Sequence, residues 1–202
     1  DAQLGKVLAA LDALKLTEKT LIVFQSDHGY HIGEHDLWGK TSNFERDARV
    51  PLLIVPPACG QAGMTAQGLV ELIDLFPTIC DLAGLPKPEG LSGESLWPMV
   101  ADVTRSVKTS AFTQHPRPAY FDRTEKGVPD AMGYSVRTPQ ARYTEWRDWE
   151  TGKVLASEFY DHSRGIGERA NRVTDPPDAS SLSTARALLH DRFPLDVAPA
   201  RR

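Results

Sequence analysis

An α/β fold is the class this sequence predicts, and three observations carry that reading. Two short, continuous apolar runs, "TLIVFQSD" (20–27) and "VPLLIVPP" (50–57), are rich in β-branched and aromatic side chains. Such runs are expected of strands buried on both faces. Helical spacing precedes the first: Leu4, Val7, Leu8, Leu11 and Leu14 recur on one face, while Asp1, Lys6, Asp12 and Lys15 take other positions. A third apolar stretch, "LVELIDLFPTICDLAGLP" (69–86), reads as a short strand and then a helix. Asp74 is placed to cap that helix, Pro77 fits its first turn, and Gly84 with Pro86 fits its end. Helices alternating with buried strands imply a parallel-type sheet covered on both faces.

The character of the chain changes after about residue 88. "KPEGLSGESLWPMV" (87–100) is loop-rich, and polar-aromatic segments follow: "TSAFTQHPR", "MGYSVRTPQARYTEWRDW" and "VLASEFYDHSR". Within the second, "GYSVRT" and "ARYTEW" flank "PQ" as the two arms of an antiparallel hairpin. "SSLSTARALLHDRF" (180–193) reads as a closing helix with a Ser cap. The expected organisation is therefore an α/β layer over 1–100, then a small antiparallel sheet with a terminal helix over 101–202. No internal repeat or low-complexity segment interrupts it.

Composition narrows the function classes. The chain has 202 residues, 41% hydrophobic and 25% charged, enough for a sizeable core and too apolar for a disordered segment. A net charge of -4 and a pI near 5.9, with Lys and Arg interspersed among acids, give no electrostatic case for nucleic acid or an anionic membrane surface. No apolar run approaches the roughly 20 residues of a membrane helix, and the first residues lack the basic start and small-residue cleavage site of a signal peptide. The two cysteines, Cys59 and Cys80, say little about redox compartment and read as buried or idle thiols.

Chemistry concentrates in "FQSDHGYHIGEHDLWGK" (24–40), which follows the first apolar run directly. Ligands of open α/β sheets bind beyond the carboxyl ends of strands, where Asp27 and His28 stand. Gly29 and Gly33 disfavour a continuing helix, so a tight loop is expected rather than a helical face of histidines. A carboxylate beside an imidazole can face one divalent cation, although two donors do not complete a site. Asp-His-Gly is also a common turn-forming triplet, so a purely conformational role stays open. His31 and His35 read as exposed or hydrogen-bonded loop histidines, and Glu34 as a loop organiser. Lys40 is either solvated or a holder of an anionic substrate.

These residues resemble a known family. "LIVFQSDHGYHIGEHDLWGKTSNFERDARVPLLIV" (21–55) is similar to the second half of the catalytic domain of sulfatases, within the alkaline-phosphatase-like superfamily. The nearest likeness is the iduronate-2-sulfatase branch, in which "SDHG", "GEH", "K-x-SNF" and "VPL" occur in that order. "MGYSVRTPQARYTEW" resembles the hairpin of the same branch, and "EFYDHSRGIGERANRV" the sulfatase "ELYD…D-P-x-E-x-x-N" segment, without its Asp-Pro step. The resemblance covers nearly the whole chain. It implies the C-terminal part of an alkaline-phosphatase-like sulfatase fold.

By that resemblance, Asp27 and His28 match the family's later pair of metal ligands, the metal usually being calcium. An imidazole there departs from calcium's oxygen preference and would admit manganese. Lys40 matches the lysine that contacts the sulfate group. His115, with Arg117, is a possible substrate contact in the C-terminal sheet. The family's nucleophile is a formylglycine made from the Cys of a C-x-P-S-R motif, and neither that motif nor the early Asp-Asp metal pair occurs here; Cys59 stands in "ACGQAG" and Cys80 in "ICDLAG". The expectation is thus a fragment of a sulfuric ester hydrolase acting on a sulfated sugar or glycosaminoglycan unit. Its partner would be the remainder of the catalytic domain, in cis or from another chain, and its location periplasmic, secreted or lysosomal. Two alternatives stand beside it: a metal-dependent phosphohydrolase or phosphomutase of the same superfamily, and a non-catalytic module. Glu45, Arg46 and Arg49 read as loop salt-bridge partners, Trp38 and Phe44 as packing under the loop, and Tyr134, Arg137, Arg142 and Trp146 as core or surface positions of the hairpin.

Overall fold

A computed structural model describes residues 1–57, 63–163, 165 and 167–195. Cys59 lies outside them. In chain order the elements are α1 (Ala2–Ala13), β1 (Ile22–Gln25), β2 (His31–Ile32), β3 (Trp38–Gly39), α2 (Glu45–Ala48), β4 (Leu52–Val55), α3 (Leu75–Ala83), α4 (Trp97–Ala101), β5 (Ala111–Arg117), β6 (Ala131–Arg137), β7 (Ala141–Asp148), β8 (Val154–Asp161) and α5 (Ala179–Arg192). They form two compact units: residues 1–27 with 51–107, and residues 28–50 with 108–202.

In the first unit, β1 pairs with β4, as two apolar runs invite. The pairing is antiparallel, with Ile22 opposite Val55 and Gln25 opposite Leu52, which corrects the expected parallel arrangement. A parallel return needs the intervening chain to run back along the sheet, usually as a helix. Residues 26–51 contain no helix longer than four residues, and the Ser26 amide donates to the Pro51 carbonyl at 3.3 Å, so the chain re-enters at the end it left. Two-sided burial is not seen either, since Phe24, Leu53 and Val55 are exposed, and no residue of α1 is buried. The strand expected ahead of α3 is instead a 3-10 turn over Leu72–Asp74. Asp74 does not cap α3 through its side chain; the buried carboxylate accepts the Glu71 and Glu94 amides at 2.8 and 2.9 Å and so ties two loops together. Gly84 ends α3 in the left-handed region, where glycine carries no Cβ penalty. Cys80 is buried beside this small core, which also holds Leu96 and Met99.

The second unit centres on a four-stranded antiparallel sheet in the order β5-β6-β7-β8. The anticipated hairpin is β6 and β7, closed by the Thr138 amide donating to the Ala141 carbonyl at 2.8 Å. The closing helix is α5, but its cap is Asp178, whose carboxylate accepts the Ser180 amide at 2.9 Å. The serines lie inside the first turn, and their hydroxyls donate back to Asp178. Leu182, Ala185 and Leu189, spaced three or four apart, pack on Tyr134, Val136, Ala141, Tyr143 and Phe159. Fully burying an aliphatic or aromatic side chain contributes about 1.5–3 kcal/mol, so this cluster is the main apolar anchor of the unit. Glu145 adds a polar tie: Arg147 donates to its Oε2 at 2.8 Å, and His190 of α5 lies 2.8 Å from its Oε1. Two close approaches in this unit demand glycine. A Cβ on Gly133 would meet the Trp146 ring at 2.7 Å, and one on Gly29 would meet the Arg46 carbonyl oxygen at 1.8 Å.

Candidate functional site

The loop after β1 begins with Asp27, which is exposed, and His28, which is half-buried. His28 Nδ1 lies 2.7 Å from the Gly29 carbonyl oxygen. A carbonyl only accepts, so Nδ1 carries the proton and Nε2 keeps its lone pair. Lys40 Nζ donates to that lone pair at 2.8 Å, across a separation of 12 residues. The structure thus joins two residues that the sequence singled out, and Asp27 is the chain neighbour of one of them.

The rest of the loop explains how that pair is held. β2 and β3 make a two-residue ladder, His31 opposite Gly39 and Ile32 opposite Trp38, which folds Lys40 back toward His28. His31 is fully buried, with Nδ1 3.2 Å from the Glu34 carbonyl and Nε2 3.1 Å from Ser42 Oγ, so it is a structural group of the loop. His35 stacks on Phe44 at 3.9 Å. Glu34 organises the loop as expected: its carboxylate accepts the Ile32 amide at 2.9 Å, and that backbone hydrogen bond leads the causes that hold it below the usual carboxylate range. Trp38, expected to pack beneath the loop, is instead 79% exposed, because it sits on the outer face of the β2-β3 ladder.

After Lys40 the backbone turns sharply. Thr41 has a φ of 103°, an outlier for a β-branched residue. Its carbonyl accepts from Arg117 Nη1 at 2.7 Å, and the next amide, of Ser42, donates to Asp47 Oδ2 at 2.7 Å. Arg117 also lies over the Trp146 ring, 4.9 Å from its centroid. His115 stands two residues earlier on β5, opposite Gly133. Its buried Nε2 has no hydrogen-bond partner. Burial first, then the Arg117 charge, lowers its pKa, while Asp47 opposes them.

A second constellation lies at the base of α2. Glu45, His162 and Glu168 are buried, with candidate metal-ligating atoms within 4.8 Å of one another. Arg142 already bridges the two carboxylates, donating to Glu45 Oε2 at 2.6 Å and to Glu168 Oε1 at 2.8 Å. Glu168 Oε2 accepts the Glu45 amide at 2.7 Å, and His162 Nε2 lies 2.9 Å from Glu168 Oε1. Burial would raise the Glu168 pKa, but the His162 hydrogen bond and the Arg142 charge overcome it and hold the carboxyl below its ordinary value. Glu45 is therefore no exposed loop partner worth little, as its place in the sequence implied; it belongs to a buried ion-pair network. A guanidinium between the carboxylates does the charge-balancing that a dication would do.

Asp27 and His28 are chain neighbours of donor types that a divalent cation takes. Metal-binding histidines commonly fix one ring nitrogen on a carbonyl, as the Gly29 contact fixes His28 Nδ1, while Nε2 here accepts from Lys40. One carboxylate and one imidazole supply two donors of a mixed oxygen and nitrogen set, suited to manganese as well as calcium. Sequence reasoning missed Thr41 and Asp47, and named Arg117 only as a possible substrate contact beside His115. Nothing in "KTSNFERD" or "HPR" announces a strained turn or the contacts that hold it.

Comparison with known proteins adds the family context. A family model described as Sulfatase matches residues 1–85. Mouse iduronate 2-sulfatase is 35% identical over 206 residues, covering 78% of this chain and 37% of the relative. Rat arylsulfatase K is 34% identical over 178 residues, covering 88% of this chain and 31% of the relative. The chain thus spans about a third of the length of the curated relatives it matches. Among solved structures, one described as in complex with its substrate D-glucosamine-2-N,6-O-disulfate is 25% identical, with a TM-score of 0.79 over 95% of this chain and 37% of its own. A phosphonate monoester hydrolase from Silicibacter pomeroyi is 27% identical, with a TM-score of 0.77 over 98% and 39%. These similarities bear out the alkaline-phosphatase-like α/β class expected from the sequence.

Proposed function

We propose, from the premise that this chain belongs to the sulfatase family, that it supplies the sulfate-holding part of a sulfuric ester hydrolase. The single observation that carries the proposal is the 2.8 Å contact of Lys40 with His28, one residue beyond Asp27. On this reading Asp27 with His28 would hold a divalent cation, calcium or manganese, which at His28 Nε2 would take the place of the Lys40 ammonium and leave Lys40 to contact the sulfate oxygens. A sulfate ester cleaves with negative charge growing on the bridging oxygen, so fixed positive charge at the sulfate lowers the barrier by electrostatic stabilisation. A bound cation would add Lewis-acid polarisation of the same oxygens. His28, protonated on Nδ1 and fixed by Gly29, orients both its neighbours, and His115 on β5 is a candidate contact for the rest of the substrate.

The attacking group comes from sequence outside residues 1–202. On this reading residues 1–100 would be the C-terminal half of the catalytic α/β domain and 101–202 its antiparallel-sheet subdomain, although the compact units group residues 28–50 with 108–202. The substrate class is a sulfated sugar or glycosaminoglycan unit, a reading that draws on the sulfated glucosamine held by the 25% identical relative. A periplasmic, secreted or lysosomal setting goes with it. Among the described residues no helix is long and apolar enough to cross a membrane.

A second reading is favoured by the phosphonate monoester hydrolase relative, since the same loop could hold a phosphonate or phosphate monoester. The test assays the full-length gene product on p-nitrocatechol sulfate and on p-nitrophenyl phenylphosphonate, with Lys40→Ala as the control. Preference for the sulfate ester, lost in the variant, supports the sulfatase reading. Preference for the phosphonate ester replaces it with the second.

A further inference from the structure

Thr41 presents a problem of energetics that leads past the Lys40 and His28 pair. A non-glycine residue held in a sparsely populated region costs on the order of 1–3 kcal/mol and persists only where its surroundings over-determine it. At 103°, the Thr41 φ is the largest positive value among the described non-glycine residues, and the residue follows Lys40 directly. Both sides of the turn are held by groups from elsewhere in the second unit. Arg117, on β5, donates to the Thr41 carbonyl at 2.7 Å across 76 residues of sequence. Asp47, on α2, accepts both the Ser42 amide and the Ser42 hydroxyl at 2.7 Å. The Asp47 backbone carbonyl also accepts the Gly29 amide at 2.8 Å, so one residue of α2 holds the chain next to His28 and the chain two residues beyond Lys40.

The two supports are themselves immobilised. Arg117 lies over Trp146, whose indole nitrogen donates to Glu158 Oε1 at 2.7 Å. α2 is fixed at its first residue, where Glu45 meets Arg142 and its amide meets Glu168. The closeness of Gly29 to the Arg46 carbonyl, with no room for a Cβ, shows the loop pressed on α2 at that point. The strained turn is thus spanned from two rigid elements.

We propose that Arg117 and Asp47 are positioning residues that hold Thr41 in its strained conformation and thereby aim the Lys40 ammonium at His28 Nε2. Neither needs to touch substrate. Their effect on turnover passes through Lys40, so this inference rests on the role given to Lys40 above. Arg117 is the cleaner probe, because it meets the turn at one carbonyl while Asp47 also shapes Ser42 and Gly29.

The experiment uses the full-length protein as wild type, Arg117→Met, Lys40→Ala and the double variant. The activity probe is p-nitrocatechol sulfate, and amide hydrogen exchange with the imidazole 15N shifts of His28 is read in parallel. Arg117→Met is expected to lower kcat/KM about tenfold in the wild-type background and less than about twofold in the Lys40→Ala background, the non-additivity of residues acting as one unit. Equal losses in both backgrounds overturn the proposal. Exchange of the Ser42 amide should quicken about tenfold and the His28 Nε2 shift should move, with β6 and β7 amides staying protected. An unchanged His28 and Ser42 overturns the proposal even if the enzyme hydrolyses no sulfate ester, whereas changes there in an inactive wild type leave the positioning intact and sink only the sulfatase reading. Arg117→Lys, which keeps one donor, should fall between wild type and Arg117→Met, and serves if the methionine variant does not fold.

Discussion

Two histidine and charge clusters in the second unit look alike by composition and differ in what their lone pairs and protons are doing. At the base of α2, Glu45, Glu168 and His162 are buried, and Arg142 bridges both carboxylates. In the 28–40 loop, His28 is half-buried, Lys40 is exposed, and the two meet nitrogen to nitrogen at 2.8 Å. The first cluster balances its two carboxylates with Arg142 inside the protein and so holds the fold, although His162 Nδ1 is buried without a partner. The second ends in groups that a ligand can reach, and so can do chemistry. Proximity of acids and histidines is therefore a weaker guide to a ligand site than their exposure and whether a buried cation already balances them.

The sharpest way to break the contrast is to remove one charge from each cluster. Arg142→Met should destabilise the protein by about 3–5 kcal/mol, because Glu45 and Glu168 are left buried without their cation. Urea unfolding followed by circular dichroism reads this, and a loss under 1 kcal/mol would mean the network holds nothing. Lys40→Ala should show the inverse pattern, with turnover of a sulfate ester by the full-length enzyme down about 10²–10³-fold. Its stability should stay within about 0.5 kcal/mol of wild type, as for other exposed side chains. A Lys40→Ala protein with full activity would remove the loop from the mechanism.

Smaller effects sharpen the same line. Titration with Mn²⁺ should broaden the imidazole resonances of His28 by paramagnetic relaxation and leave those of His162 sharp, since His28 is half-buried beside the exposed Asp27 carboxylate, whereas His162 is buried against the Glu168 and Arg142 pair. Broadening at His162 first would reverse the assignment of the metal-binding pair. The smallest expected change concerns pH. Glu168 is held below its ordinary pKa, so it releases its proton more readily folded than unfolded; its contribution to stability is present above the unfolded value and is lost as pH falls through the folded one. Glu168→Gln should therefore flatten the decline of Tm below about pH 5. An unchanged slope would place the acid sensitivity elsewhere, with Glu145, also held low despite its burial, next in line.

Legibility in the sequence followed the range of the interactions. β6 and β7 were readable because a two-residue turn separates alternating runs that pair with each other, and both local and cross-strand preferences agree. β1 and β4 were readable as strands, but their direction depended on what residues 26–51 do, which is not a property of the apolar runs. Asp178 won the cap of α5 over the serines because its carboxylate serves the Ser180 amide and two hydroxyls at once. In the loop, Asp27, His28 and Lys40 stood out through an ordered set of motifs. Arg142 and Glu45 did not, since 97 residues separate them, and Thr41 has a side chain that argues against the conformation it adopts. Such features arise from long-range contacts that override local preference.

The path of the chain through the second unit has a consequence for synthesis. Residues 28–50 leave the ribosome early, while Arg117, Arg142 and Glu168, which hold that loop, arrive after a long intervening segment. Until β5 through β8 have been made, the turn at Thr41 lacks its cationic support and α2 lacks its anchor. Contacts of such sequence separation form late and slowly. A nascent or prematurely ended chain would carry Lys40 and His28 without holding them together, so completion of the polypeptide is itself a condition for assembling the loop.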